Sequence, residues 1–460
     1  MKKLTFDGKG EIGGSNYCYN GTIGVDHGAI QGKKKISYPA PNGVSPLVVI
    51  ASHSHIDHIG GFACLAKHRP EAKFFMTQTT LDGMILLLND SLKIARSQAE
   101  FNSLKGLPSE PPAFEEEDIS HVESQTEIIK NIGWFEPVKG YHLSLRSAGH
   151  MRGASIELMV TPDGTRVVHA ADISVEERAL VRGAAVPKDF LNPDVLVIES
   201  TYGSKELPDL KGEKDKLISV TKETLKKGGS VLVGHFASML DNIVIPLAEA
   251  KIQVYVDGMG RQFLRIYAAA KNWCPEDRPF SLSGYDNVHF IDPDRGTATA
   301  QRKKLLSGKL KGAIVCPSGM YEGGHSVTYI KQLMESRKNT IIMPGFQADE
   351  TQGREIQEAE SGDLIDFKCE RVMKINEKKE AKEWHEYRRL NAPVVQIKYS
   401  GHSGGDKMAK WVAELNPKKV VTVHGDPEGH EGLKDRIHRL NRNIDVVRAT
   451  GETIKFSFRS

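Results

Sequence analysis

Residues 53–58 read His-Ser-His-Ile-Asp-His and follow directly on the apolar run Pro46-Leu-Val-Val-Ile-Ala. Three imidazoles and a carboxylate in six residues, at the end of a strand built for burial, form a metal-ligand pattern. Left unpaired in an apolar interior, such groups would cost several kcal/mol. Alternate residues of a strand share a face, so His53 and His55 point the same way. The turn that follows lets Asp57 and His58 aim at a second point a few ångströms off. One short segment can therefore serve two cations at once. Imidazole and carboxylate without thiolate suit zinc, and manganese or iron accepts the same donors.

Further candidates sit in the same context, just past an apolar strand. They are His150 in Ser147-Ala-Gly-His-Met-Arg-Gly, Asp172 in His169-Ala-Ala-Asp-Ile-Ser, and His424 in Val423-His-Gly-Asp. Each alone is more often structural. Ligands drawn from several strand ends of one sheet, however, are how a preorganised dinuclear site is made.

The elements that position these residues change character along the chain. The first 200 residues are strand-rich, with a long helix over 79–101 and a hairpin signal at Pro162-Asp-Gly. From about residue 207, strand and helix alternate, which predicts a parallel sheet covered by helices on both faces. No Gly-x-Gly-x-x-Gly or Walker-type loop supports nucleotide binding there. Residues 371–390 are highly charged and read as a solvated connector. The apolar run 394–398 then returns to the style of the first part, so the α/β segment reads as an insertion. The expected limits are 1–206 and 391–460 for the two parts of one domain and 207–390 for the insert.

Composition bounds the function. With 62 basic and 59 acidic residues the formal charge is +3, which gives no global signal for nucleic acid. The first residues lack an apolar signal core, and no 18-residue apolar stretch exists. Five scattered cysteines without Cys-x-x-Cys spacing fit reduced thiols. The expectation is a cytoplasmic protein with no membrane association.

The set His53-x-His55-x-Asp57-His58, His150 and Asp172 resembles the metallo-β-lactamase superfamily, and Asp26 is similar to its early supporting aspartate. Three more segments resemble the β-CASP nucleases. Ile198-Glu-Ser-Thr-Tyr-Gly is similar to motif A, with Glu199 in the acidic position. Ser400-Gly-His-Ser-Gly is similar to motif B, giving His402, and Val423-His-Gly-Asp to motif C, giving His424. The loops Cys316-Pro-Ser-Gly-Met and Pro344-Gly-Phe-Gln-Ala-Asp-Glu-Thr-Gln-Gly-Arg resemble landmarks of the insert. Motif B departs from its usual form, with Gly401 and Ser403-Gly404 in place of the alanines and aspartate.

The resemblance implies an αββα metallo-β-lactamase sandwich with an inserted β-CASP α/β domain. It implies two Zn²⁺, with Mn²⁺ open as a substitute: His53, His55 and His150 on one ion, and Asp57, His58 and His424 on the other. Asp172 would bridge them. The reaction implied is hydrolysis of phosphodiesters in single-stranded RNA by a metal-activated hydroxide, as an endonuclease, a 5′-3′ exonuclease or both. Asp57 would orient the nucleophile, and His402, held by Glu199, would protonate the leaving oxygen. Histidine at motif C goes with RNA-processing members of the family. Arg152, Arg354 and Lys398 are candidate RNA contacts, and family members often dimerise, which leaves a homodimer open. The alternatives are a DNA nuclease of the same fold, a small-molecule thioester or lactone hydrolase, and a non-catalytic scaffold subunit.

Overall fold

Two seven-stranded sheets face each other across an apolar interior, and helices cover their outer sides. In the first the order is Ile454–Phe458, Lys2–Gly8, Asn16–Tyr19, Ile23–His27, Val48–Ile50, Lys73–Met76 and Thr126–Ile128. In the second it is Asp445–Arg448, Lys419–Val423, Val195–Glu199, Arg166–Ala170, Ser155–Val160, Tyr141–Ser147 and Trp134–Val138. The computed structural model describes residues 2–31, 36–38, 46–375 and 378–458. The expected outer domain limits, Met1 and Ser460, lie outside the described residues.

Strand Val195–Glu199 explains why its sequence carries no polar alternation. Val195 and Val197 join Leu143, Leu145 and Val421 in the core between the sheets. Leu196 and Ile198 face the other way, onto Met408, Trp411, Val412, Leu433 and Ile437. Those residues come from helices Gly405–Leu415 and Pro427–Leu440. A strand covered on both faces must be apolar throughout. On the far side, Phe62, Leu65, Met84 and Leu88 of helices Phe62–His68 and Gln78–Lys105 close the first sheet. The layers are therefore αββα, as expected.

The segment with alternating elements forms a six-stranded sheet in the order Val288–Phe290, Val254–Val256, Ala313–Cys316, Val231–Gly234, Thr340–Met343 and Val394–Gln396. Every pairing is parallel. Helices lie on both faces, contributing Leu217, Ile243 and Leu247 to one core and Tyr329, Ile330 and Leu333 to the other.

Two stretches differ from expectation. Val394–Gln396 is the edge of this parallel sheet, beside Thr340–Met343, and not a strand of the two-sheet unit. A three-residue apolar run fits either sheet, and the sequence alone does not choose. The charged stretch 371–390 lies within an antiparallel hairpin, Leu364–Ile375 with Lys378–Arg389, and is no loose connector. Among the described residues of the ribbon, only Ile365 and Phe367 are buried, so charges on the two wet faces hide the period of two. Midway along its length the ribbon reaches helix Gln78–Lys105, with Lys105 and Glu383 3.2 Å apart.

The helical turn Ile56–Ile59, which carries Asp57 and His58, is locked by its neighbours. Ser15 N donates to the Asp57 carbonyl at 2.8 Å, and Ala29 N to that of Ile56 at 3.0 Å. Such close approach requires a bare residue at 28, because a Cβ there would lie 1.6 Å from the Asp57 carbonyl oxygen. Gly28→Ala should cost about 1–3 kcal/mol of stability or more, by overpacking, and shift the turn. Thermal unfolding and a metal titration read both effects; wild-type values in each would contradict this account.

Candidate metal centre

All the chemistry-bearing residues sit at one edge of the two facing sheets. His53 and His55 follow strand Val48–Ile50, which ends earlier than a strand reading of 53–55 requires. Asp57 and His58 lie in the turn Ile56–Ile59. His150 follows Tyr141–Ser147, Asp172 follows Arg166–Ala170, and Glu199 ends its own strand. The parallel register pairs Glu199 with Val423, which brings His424 to the same edge. His424 and Asp26 both take left-handed backbone, with φ of 46° and 60°, a conformation that few non-glycine residues adopt.

The donor atoms converge on two neighbouring points. One atom each from His53, His55, His150 and Asp172 falls within a 4.8 Å group, and so does one each from Asp57, His58 and His424. Asp172 lies between them. Its Oδ2 is 3.5 Å from His53 Nε2 and 3.6 Å from His150 Nε2. Its Oδ1 is 3.4 Å from His58 Nε2 and 3.5 Å from His424 Nδ1. His424 Nε2 is 3.2 Å from Asp57 Oδ2. A tetrahedral zinc with bonds of about 2.0–2.1 Å sets its donors about 3.3–3.4 Å apart, so the spacing fits a cation.

A second observation agrees. His53 Nε2 and Asp172 Oδ1 are buried without a hydrogen-bond partner, although buried polar atoms are normally paired. These two atoms point into the space that a cation would fill. The cluster has the donors and the spacing to hold a metal ion.

Each ring is fixed by a partner outside the cluster. His53 Nδ1 is 3.0 Å from Ser52 Oγ, which itself donates to Asp26 at 2.8 Å. His58 Nδ1 donates to Asp26 Oδ2 at 2.7 Å. His150 Nδ1 donates to the Gly401 carbonyl at 2.8 Å. His55 Nε2 is 2.9 Å from Ser238 Oγ, and Ser238 belongs to the other unit. His424 Nδ1 is 3.1 Å from Thr201 Oγ1. Such partners set the tautomer and aim the free nitrogen at the metal.

Burial and charge then divide the protonation states. Burial holds His55 down at about 4 and keeps His53 and His150 well below the usual imidazole range, so these three are neutral donors. Burial alone would also lower His58, but Asp172, Asp26 and Asp57 outweigh it and raise it. Asp57 and Asp172 lie well below the carboxylate range; burial opposes this, and neighbouring imidazoles override it.

His402 stands beside the cluster. Its Nδ1 donates to Glu199 at 2.7 Å, and its Nε2 lies 3.9 Å from Asp172 Oδ2. Burial pulls its pKa down, but Glu199 and Asp172 prevail and raise it to about 9. Its side chain is 17% exposed and that of Asp57 28%, against 4% or less for His53, His58, His150, Asp172 and His424. The open side of the cluster is therefore framed by Asp57 and His402, with His55 also half-buried. The loop carrying His402 is stitched to the segment after Asp172: Val175 N donates to Ser403 Oγ at 2.8 Å, and Arg178 donates to the Ser400 carbonyl.

The expected substrate contacts fare differently. Arg152 is buried, and its guanidinium donates to the carbonyls of Arg278 and Ala270 and to Asn272 Oδ1. It ties the two units together and offers nothing to the cleft, which corrects its reading as an RNA contact. Arg354 is paired with Glu358 among Glu322 and Glu355. Lys398 is exposed. Sequence reasoning missed Ser52, Thr201, Arg178 and Ser238. The first two adjoin recognised motifs, but the partners of Ser238 and Arg178 lie 183 and 222 residues away in the chain, and no local pattern marks them.

Residues 235–356 match the Beta-Casp domain, and residues 387–448 match the Zn-dependent metallo-hydrolase RNA specificity domain. Joined to the two-sheet fold and its histidine-lined edge, these matches make the chain similar to metallo-hydrolases of the metallo-β-lactamase type. Within that class, the chain is similar to the β-CASP proteins, whose domain matches residues 235–356. It is 28% identical over 422 residues to the transcription termination factor FttA of Methanocaldococcus jannaschii, covering 87% of this chain and 63% of that one. It is 28% identical over 449 residues to RNase aCSPSF2 of Saccharolobus solfataricus, covering 95% of this chain and 80% of the relative. It is 25% identical over 398 residues to the probable RNase MJ4 of M. jannaschii, at 85% of each. The chain thus spans less than two thirds of the length of FttA. A crystal structure of a protein of unknown function from Enterococcus faecalis shares the fold at a TM-score of 0.55 and 13% identity, over 99% of this chain and 100% of that one.

Asp26 reaches both His58 and, through Ser52, His53. Asp26→Asn should therefore weaken zinc binding by about 10–100-fold while circular dichroism stays unchanged. Competition with a chelator measures it, and unaltered affinity would remove Asp26 from the site.

Proposed function

We propose that the protein is a metal-dependent ribonuclease that hydrolyses phosphodiester bonds of single-stranded RNA. The observation that carries this reading is His402. It is a raised, partly exposed imidazole, oriented by a buried carboxylate, and it stands one residue's breadth from a cluster able to hold metal. A small-molecule hydrolase needs the cluster alone; a proton donor beside it suits a poor leaving group such as a ribose oxygen. The RNA specificity domain match and the RNase names of two relatives support RNA as the substrate class.

The reading takes two zinc ions, one held by His53, His55 and His150 and one by Asp57, His58 and His424, with Asp172 between them. When bound, they would acidify a water and offset charge on the phosphodiester oxygens. The chain's own residues do the rest. Asp57, on the open side, orients the attacking water. His402 keeps one proton on Nδ1 for Glu199 and delivers the other from Nε2 to the leaving oxygen. Glu199 fixes that orientation, and its Oε1 also accepts from Ile173 N at 2.7 Å, so it cannot swing away. The exposed Lys398 is the remaining candidate for a phosphate contact.

One single-stranded sequence, made as RNA and as DNA and labelled at either end, tests the reading with zinc-loaded or manganese-loaded protein. The expected result is cleavage of RNA that vanishes in the Asp57→Ala/His58→Ala variant, internally for an endonuclease or as 5′ mononucleotides for an exonuclease. Cleavage of DNA alone would transfer the activity to a DNA nuclease, and no cleavage with metal bound would leave a scaffold or a small-molecule hydrolase. His402→Ala should lose about 10²–10⁴-fold in rate and keep its metal content, whereas His424→Ala should lose metal. Metal analysis showing the reverse would overturn the two roles.

A further inference from the structure

The cleft between the two units carries an aromatic pair that the hydrolytic groups leave unused. Phe236 follows strand Val231–Gly234, and Phe346 follows the adjacent strand Thr340–Met343. Both rings stand in solvent, 44% exposed for Phe236 and 60% for Phe346. The segments that carry them adjoin: a Cβ on Gly345, the residue before Phe346, would lie 3.8 Å from Phe236 Cε2. The first of the two segments also reaches the metal centre. Ser238, two residues past Phe236 in the same turn, is the 2.9 Å partner of His55.

Neither ring sits on a loose loop. Tyr267 donates to the Ser238 carbonyl at 2.6 Å and Met239 N to that of Phe236 at 3.0 Å, which fixes the first turn. Gln347, almost fully buried, donates to the Gly319 carbonyl at 3.1 Å, and Gly353 N to that of Met320 at 2.8 Å, which fixes the second. A large apolar ring left in water forfeits the gain of burial. Here two such rings are held in place by buried hydrogen bonds and given no cover.

A flat apolar face beside a phosphodiester-cleaving centre suits one chemistry above others, the face of an unpaired nucleobase. The near-balanced charge of the chain, 62 basic to 59 acidic residues, points the same way. A weak electrostatic grip on phosphates leaves more of the affinity to stacking. We infer that Phe236 and Phe346 form a stacking platform for one or two bases flanking the bond to be cut, and that this platform restricts the substrate to single strands. A duplex keeps its base faces turned on one another and cannot present them. The inference rests on the ribonuclease reading.

The test compares zinc-loaded wild type with Phe346→Ala and Phe236→Ala on a single-stranded RNA, and on the same RNA made abasic at each nucleotide flanking the cut. Metal content serves as the control for intact folding, and Phe346, the more exposed ring, is the safer variant. Losing one ring should lower kcat/KM on intact RNA by about 5–150-fold. One abasic position should cost wild type a similar factor and cost the ring variant little more. Ring variants that cut intact RNA at the wild-type rate, or losses that simply multiply, would overturn the platform and leave the ribonuclease standing. Wild type that cuts no RNA at all would overturn both.

Discussion

Each imidazole that faces the cluster has its other nitrogen taken by a fixed partner: Ser52, Ser238, Asp26, the Gly401 carbonyl, Glu199 and Thr201 in turn. The rest of the molecule depends on this constraint. A buried imidazole without a committed tautomer is as ready to repel a cation as to bind it. Committing six of them requires partners from segments that are far apart in the chain. The two sheets, the return of the chain after the insert, and the insert itself are the means by which those partners arrive together.

The fold is rigid where that demand is greatest. Strand Val195–Glu199 is apolar on both faces because both are covered, so the carboxylate at its end cannot drift. The two units are also bound to each other away from the cluster. Arg152 gives its guanidinium to backbone carbonyls of the second unit, Arg278 N donates to the Leu180 carbonyl, and Arg182 N donates to that of Glu276. These contacts bury polar groups of one unit against those of the other, which leaves little freedom for sliding.

Much of this could be read from the residues. The histidine run, the later His150, Asp172 and His424, and the alternation that gives a parallel sheet all depend on short-range patterns, which survive in one dimension. What escaped reading depends on distance along the chain. Ser238 is an ordinary serine until it meets His55, and Arg152 looks like a free cation until its carbonyl partners fold over it. The charged ribbon 364–389 was hidden for another reason. A hairpin wet on most of both faces carries apolar alternation only over Ile365, Phe367 and Cys369, so the signal that normally reports a strand is short. Strand Val394–Gln396 was ambiguous because three apolar residues specify burial without specifying which sheet.

The bond between Ser238 and His55 crosses from one unit to the other, and linkage follows from it. Whatever spreads the two units pulls a partner from a ring in the cluster and weakens the ion; by the same factor, an ion that binds draws the units together. The seating of the second unit and the aim of one imidazole are thus linked. The contacts through Arg152 and the paired backbone groups, which hold the units together elsewhere, therefore also keep that serine at its ring.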